Sequence, residues 1–254
     1  MARKGTTFLM ALLVKKFGGS LLKTVSDFDT IADYLSHFYQ QGHKLIVVVS
    51  APAGLTNSLI AEVHTHKFSS NNKAFDLLLT LGEQKSCAFL GLALEKRKIP
   101  FSIFAGPQVG IRKTASGHWQ VDTQAYKDAI PKGIVIVSGF QALNEANQLF
   151  VFERGGSDLT ALILAHQLKA DLCELYKDVG GIFNVDPKKD ASANPFCSIS
   201  FNSLASLLQQ DAPIVQQQAL EYAKTYQQCF WVKNLNNQGT FVGDFDTERK
   251  NFSI

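Results

Sequence analysis

The chain has 254 residues, 46% of them hydrophobic and 19% charged, with 25 Lys+Arg against 22 Asp+Glu and a formal net charge of +3. That length allows one large or two small domains, and 19 Phe with so few charges exclude disorder as the main state. Arg3, Lys4, Lys15 and Lys16 fall in the first 16 residues, where there is no acid, so the remainder is close to neutral and offers no broad electrostatic footprint for nucleic acid or an anionic membrane.

The first apolar run, Phe8–Val14, ends in Lys15-Lys16 rather than a small-residue cleavage site. It reads as a tail over residues 1–11 and then a strand, Leu12–Phe17, and not as a secretory leader. Ser26 is placed to cap a helix whose apolar positions Phe28, Ile31, Leu35 and Phe38 step by three and four, with Gly42 to end it. Lys44–Val49 reads as a strand buried on both faces. A helix is predicted from about Asn72 to Lys98, with a break near Gly82, then a short strand at Phe101–Phe104. Residues 106–118 read as a Gly-bearing loop, Asp122–Ala129 as a helix and Ile134–Val137 as a buried strand. The second half repeats the alternation: strand Leu149–Phe152, helix Ser157–Lys169, strand Leu172–Tyr176, and a Gly/Asp/Pro-rich loop over 178–195. Helices near 202–210 and 214–228, the strand Phe230–Lys233 and a hairpin through Asn237–Gly239 close the chain.

This order predicts an α/β sandwich with a mostly parallel sheet. No stretch approaches the roughly 20 apolar residues of a bilayer span. The four cysteines form no CxxC pair, which fits a reducing cytoplasm better than a zinc site.

Four polar segments each follow an apolar run, and in open α/β sheets ligands gather at the carboxyl ends of strands. In Lys15-Lys-Phe-Gly-Gly-Ser20, adjacent glycines let the backbone approach a ligand and form an anion nest, with Lys16 beside it. This is neither a P-loop nor GxGxxG, and alone it reads as an ordinary strand-to-helix turn. Val49-Ser-Ala-Pro-Ala-Gly-Leu-Thr-Asn57 brings the hydroxyls of Ser50 and Thr56 together with an amide; taken alone, Thr56 reads as a helix cap. Glu153-Arg-Gly-Gly-Ser-Asp158 is a second diglycine corner. There Ser157 can cap a helix, Arg154 can fork onto a carboxylate, and Asp158 can orient lysines. Tyr176-Lys-Asp-Val-Gly-Gly-Ile-Phe-Asn-Val-Asp-Pro187, followed by Lys188-Lys189, has the acids, lysines and glycines that suit ribose and phosphates.

In this order and spacing KFGGS, SAPAGLTN, RGGSDLTA and DVGGIFNVDP resemble the catalytic domain of aspartokinases, in the amino acid kinase family, over about Leu12 to Val242. The resemblance implies a three-layer αβα sandwich over residues 12–254. An N-terminal lobe, about 12–145, would bind the phosphate acceptor, and a C-terminal lobe, about 146–254, would bind ATP. It implies transfer of the ATP γ-phosphoryl group to the β-carboxylate of L-aspartate, with Mg²⁺ arriving on the nucleotide. No resident metal site, nucleic acid or membrane partner is implied, and a homodimer is. Lys16 and Asp158 are the implied catalytic residues, Asp158 organising the lysine. Ser50, Thr56, Glu83, Arg154 and Ser157 would hold aspartate, Glu83 taking its α-amino group. Lys16, Phe17, Gly18, Gly19, Ser20, Lys177, Asp178, Phe183, Asp186 and Lys188 would meet the nucleotide.

Three departures from the family pattern stand out. Pro213 occupies the place of a lysine that helps bind the transferring phosphate, a loss on the order of 10²- to 10³-fold in rate unless Lys188 or Lys189 substitutes. Glu153 replaces a glycine and can pair with Arg154 or Lys16. The chain ends about where regulatory ACT-type domains would begin, which implies no inhibition by lysine or threonine. These departures keep two other readings open: a weak or inactive nucleotide-binding relative, and a kinase of another acidic amino acid or acyl acceptor.

Overall fold

The structure, a computed structural model, describes residues 10–185, 187, 190, 192–208, 214–236 and 238–244. The elements run β1 (Leu12–Phe17), α1 (Val25–Gln40), β2 (Lys44–Val49), α2 (Leu55–Thr65), α3 (Lys73–Lys96), β3 (Phe101–Phe104), β4 (Ile111–Lys113) and β5 (Trp119–Val121). They continue α4 (Thr123–Ala129), β6 (Ile134–Ser138), β7 (Gln141–Leu143), β8 (Leu149–Val151), α5 (Gly156–Gln167) and β9 (Leu172–Tyr176). The last are β10 (Ser198–Ile199), α6 (Phe201–Leu208), α7 (Gln217–Tyr226), β11 (Phe230–Lys233) and β12 (Gly239–Val242).

Eight strands form one sheet in the order β10-β12-β11-β9-β1-β2-β6-β3. Every neighbouring pair is parallel except the hairpin pair β11–β12. Helices cover both faces, giving the α/β sandwich expected from the alternation and the three layers that the resemblance implies. The two cores follow from side-chain alternation along the strands. Leu13, Phe17, Leu45, Val47 and Val49 pack with α1 and the second half of α3. Val14, Ile46 and Val48 pack with α5, α6 and α7. The same alternation sends Lys15 and Lys16 to opposite faces, and both are almost wholly buried. Lys15 meets the Glu174 carboxylate and Tyr176 Oη at 3.1 Å beneath α1, while Lys16 faces α5.

Local corrections have local causes. α1 begins one residue earlier than Ser26 because Thr24 and Asp27 form a reciprocal capping box. α3 is capped by Asn72 and runs unbroken through Gly82, where a Cβ would sit 2.5 Å from that of Ala51: the glycine serves close packing, not a bend. α3 is long and apolar enough to cross a bilayer, which the sequence reading denies of every stretch, yet about half of it is buried against the protein's own layers. Residues 106–118 are only partly loop. Here β4 joins β5, β7 and β8 in a second, four-stranded sheet, held by Trp119 and Phe152 with ring centroids 5.1 Å apart. Phe152, the last residue of the predicted strand, lies just past the end of β8, which stops at Val151.

Candidate active site

The carboxyl ends of β1, β2 and β9 converge with the N-terminus of α5, and the two diglycine corners meet there. At the first corner the Gly18 N–H donates to the Tyr176 carbonyl at 3.1 Å. A Cβ on Gly19 would lie 2.6 Å from the Ala51 carbonyl oxygen, so only glycine lets the β1 and β2 loops touch. The Ser20 hydroxyl donates to Asp178 at 3.2 Å.

At the second corner Gly155, with φ +84°, turns the chain into α5 and occupies the cap position expected of Ser157. Ser157 is buried instead in contact distance of Gly139, where a side chain would clash with it. Asp158 follows in the first turn of α5, where the helix dipole favours an anion, and two lysines share it. Lys16 Nζ is 2.7 Å from Oδ1, and Lys177 Nζ is 3.0 Å from Oδ1 and 2.8 Å from Oδ2. Burial pushes the Lys16 ammonium down to about 8 against the pull of Asp158. Burial also opposes the Asp158 charge, but Lys16 and Lys177 outweigh it and hold the carboxyl at about 2. Asp158 is therefore a fixed anion at neutral pH.

Between the corners lies a cleft of about 240 Å³ whose lining includes Ser50, Thr56, Glu83, Arg154 and Ser157, as well as Gly19 and Gly155. Glu83 rises from α3 into its floor and is 3% exposed. Its Oε1 accepts from the Ala51 N–H at 2.9 Å, and Oε2 has no hydrogen-bond partner. Burial pushes this carboxyl up to about 7, the Ala51 N–H pulling the other way. Arg154 is exposed on the opposite wall and donates to Asn57 Oδ1 from α2. Thr56 is the second residue of α2, whose cap position belongs to Gly54. The resulting box has a buried carboxylate oxygen at one side, a guanidinium at the other and a lysine pair behind the glycine corner. It can hold a small zwitterion with a further acid group beside a phosphate.

Two expected contacts come out differently. The Phe17 ring is fully buried in the α1 core, stacked on Tyr176 at 4.9 Å, so its side chain stays out of the cleft. Phe183 forms an isolated β-bridge with Pro195. Lys16 pairs with Asp158 and Arg154 with Asn57, in place of the Glu153 pairing read from the sequence. Asp186, Lys188, Lys189 and Pro213 lie outside the described residues. Sequence reasoning missed Phe140, which lines the cleft in a left-handed conformation at φ +72°; nothing in Ser-Gly-Phe announces that strain. It also missed the Asn57–Arg154 contact, whose members lie 97 positions apart. Among the described residues no three His, Cys, Asp or Glu side chains cluster to hold a cation. Asp158 is already claimed by two lysines, so these residues do not form a resident Mg²⁺ cage.

Comparison with known proteins adds to this geometry. The model of the amino acid kinase family matches residues 11–234. Aspartokinase 2 of Bacillus subtilis (strain 168) is 33% identical over 252 residues, 96% of this chain and 62% of the relative. The crystal structure of aspartate kinase from Synechocystis is 32% identical with a TM-score of 0.80, covering 92% of this chain and 40% of that one. E. coli aspartokinase III in complex with aspartate and ADP, 21% identical with a TM-score of 0.75 over 92% of this chain and 64% of that one, shares the fold. The chain spans between 54% and 62% of the length of three curated relatives it matches.

Proposed function

The chain belongs to the amino acid kinase family, and on that premise we propose that it transfers the γ-phosphoryl group of ATP to the β-carboxylate of L-aspartate. The observation that carries this reading is the unpartnered Glu83 Oε2 at the floor of a cleft whose other wall presents Arg154. A buried carboxylate oxygen without a donor calls for a cation, and the α-ammonium of an amino acid supplies one. Arg154, forked onto the α-carboxylate, fixes the opposite end. The β-carboxylate is then left to point toward Lys16 and the Gly18-Gly19 corner, where the triphosphate would lie. The similar aspartokinases support the substrate pair.

The β-carboxylate is ionised at neutral pH and is itself the nucleophile, so no general base is required. Catalysis then rests on alignment and on charge neutralisation along the phosphoryl path. Mg²⁺ would travel with the nucleotide, bound by phosphate oxygens. In this reading residues 12–145 carry the acceptor, residues 146–254 carry ATP, and the protein is a cytoplasmic homodimer. Aspartate-dependent ADP release, with the acyl phosphate trapped by hydroxylamine as a hydroxamate, tests it. Turnover only with another carboxylate acceptor, or nucleotide binding without turnover, would replace it.

Glu83→Gln is expected to raise the aspartate KM about 10- to 100-fold, the worth of a charged hydrogen bond, with kcat changed less than threefold. Glutamine keeps the acceptor for the Ala51 N–H, so the melting temperature should hold; a drop in stability with unchanged KM would make Glu83 structural.

The two perturbed groups also set a pH profile. Glu83 must lose its proton, at about 7, to accept an ammonium. Lys16 must keep its proton, lost at about 8, to face a phosphate. A narrow bell in kcat/KM for aspartate, rising through about pH 7 and falling through about pH 8, is expected for the free enzyme. Glu83→Gln should erase the acid limb. A profile flat from pH 6 to 9 would exclude both assignments.

A further inference from the structure

Asp158 carries one negative charge between two lysines, and both ammoniums lie within 3.0 Å of its Oδ1. Lys16 is almost fully buried and the Lys177 side chain is 15% exposed, so the cluster keeps a surplus positive charge largely out of water. The fold builds a second such cluster on the far side of β1 and β9, and the contrast is informative. There Glu174 pairs with Lys15 and Lys233, and aromatic faces take up the surplus. Lys15 Nζ sits 3.7 Å from the centre of the Phe38 ring, and Lys233 lies over Trp231. That cluster is complete. Among the described residues neither Lys16 nor Lys177 lies over an aromatic ring. Both instead flank Gly18, where a Cβ would meet Lys16 Nζ at 3.5 Å and Lys177 Cδ at 3.9 Å. Uncompensated buried charge is costly, and an anion set against the Gly18 backbone would complete the site.

We propose that Lys177 is a second catalytic cation which, with Lys16, grips the transferring phosphoryl group, Asp158 holding the two ammoniums close enough to reach oxygens of one phosphorus. The proposal rests on the kinase reading above and assigns Lys177 to the reacting phosphate rather than to the ribose or base. The acceptor carboxylate oxygen forms the new bond to the γ-phosphorus as the bond from that phosphorus to the β–γ bridging oxygen breaks. Its electron pair leaves with the diphosphate. No proton moves, and both lysines stay protonated.

The test compares the full chain with Lys177→Met and Lys177→Arg, in turnover and in calorimetric binding of ADP and of the imido analogue of ATP. Lys177→Met keeps Asp158 paired with Lys16, so the fold is expected to persist. Its kcat should fall about 10²- to 10³-fold with the aspartate KM within threefold. Affinity for the imido triphosphate should fall at least tenfold more than affinity for ADP, and Lys177→Arg should recover at least tenfold in kcat. A Lys177→Met variant with kcat within threefold of the parent, or equal loss of both nucleotides, would overturn the proposal. If the parent itself shows no aspartate-dependent turnover, the kinase reading fails, and the triphosphate-over-diphosphate comparison still decides the role of Lys177.

Discussion

Lys16→Met is expected to cut kcat by about 10³-fold or more while melting no lower than the parent protein. The two halves of that outcome come from the same burial. An ammonium held at about 8 instead of the usual 10.5 is disfavoured in the folded state at neutral pH by about 3 kcal/mol. The sign follows from proton binding. Between the folded and unfolded values the unfolded chain holds more protons, so stability rises with pH through that window, and the cost is present in full below it. Methionine removes this cost, and Lys177 still neutralises Asp158. Part of the gain is returned because Lys16 is one of the two charges that keep Asp158 at about 2. The rate loss reflects a preorganised cation missing at the phosphate, on the scale seen when one stabilising donor is deleted. Such a trade of stability for activity is expected where a functional charge is buried ahead of its ligand. Scanning calorimetry beside the hydroxamate assay checks both halves, and a variant that loses activity by unfolding would make Lys16 a packing residue.

What the sequence discloses about this fold depends on the length of the pattern. Lys44–Val49 is apolar at five of its six positions, Leu12–Phe17 is apolar at four with Lys15-Lys16 between them, and α1 repeats its apolar positions along most of its length, so these are readable from local physics. The strands of the small sheet are three residues each, and of these only Leu149–Val151 reads as a strand from the sequence, the others being too short for alternation to rise above chance. α2 reads only as a helix following Thr56, because it is held by few apolar contacts and just Val63 among its residues is buried.

The site follows the same logic. Motif glycines and the residues beside them can be named, since close backbone approach restricts them to a few residue types. Of the pairings across the fold, Asp158 with Lys16 is expected, while its pairing with Lys177 is not. That Lys177 reaches Asp158, 19 positions away, depends on β9 lying next to β1. The sequence reading looks to Lys188 or Lys189 to make up for Pro213, and the structure brings Lys177 to the Asp158 carboxylate.

Asp158→Asn should be the most damaging conservative change to stability. Asparagine preserves the side-chain volume at this buried position, so packing is unaltered. What changes is that two ammoniums within 3.0 Å of one position lose their shared anion. Removing one partner of a buried ionic cluster costs about 3–5 kcal/mol; at roughly 2–4 °C per kcal/mol for a chain of this size, the melting temperature should drop by about 6–20 °C. The deficit should depend on pH in a definite direction. With the carboxylate gone Lys16, already lowered to about 8 by burial, loses the anion that helps it keep its proton, so in the variant stability starts to rise at a lower pH than in the parent. The gap between variant and parent should therefore narrow between pH 7 and about pH 8, above which the parent gains in parallel. An anion placed at the glycine corner would replace the missing charge, so ADP should raise the variant's melting temperature by more than it raises the parent's. A variant that melts within 2 °C of the parent at pH 7, or that gains nothing extra from ADP, would mean that Asp158 does not hold the lysine pair together.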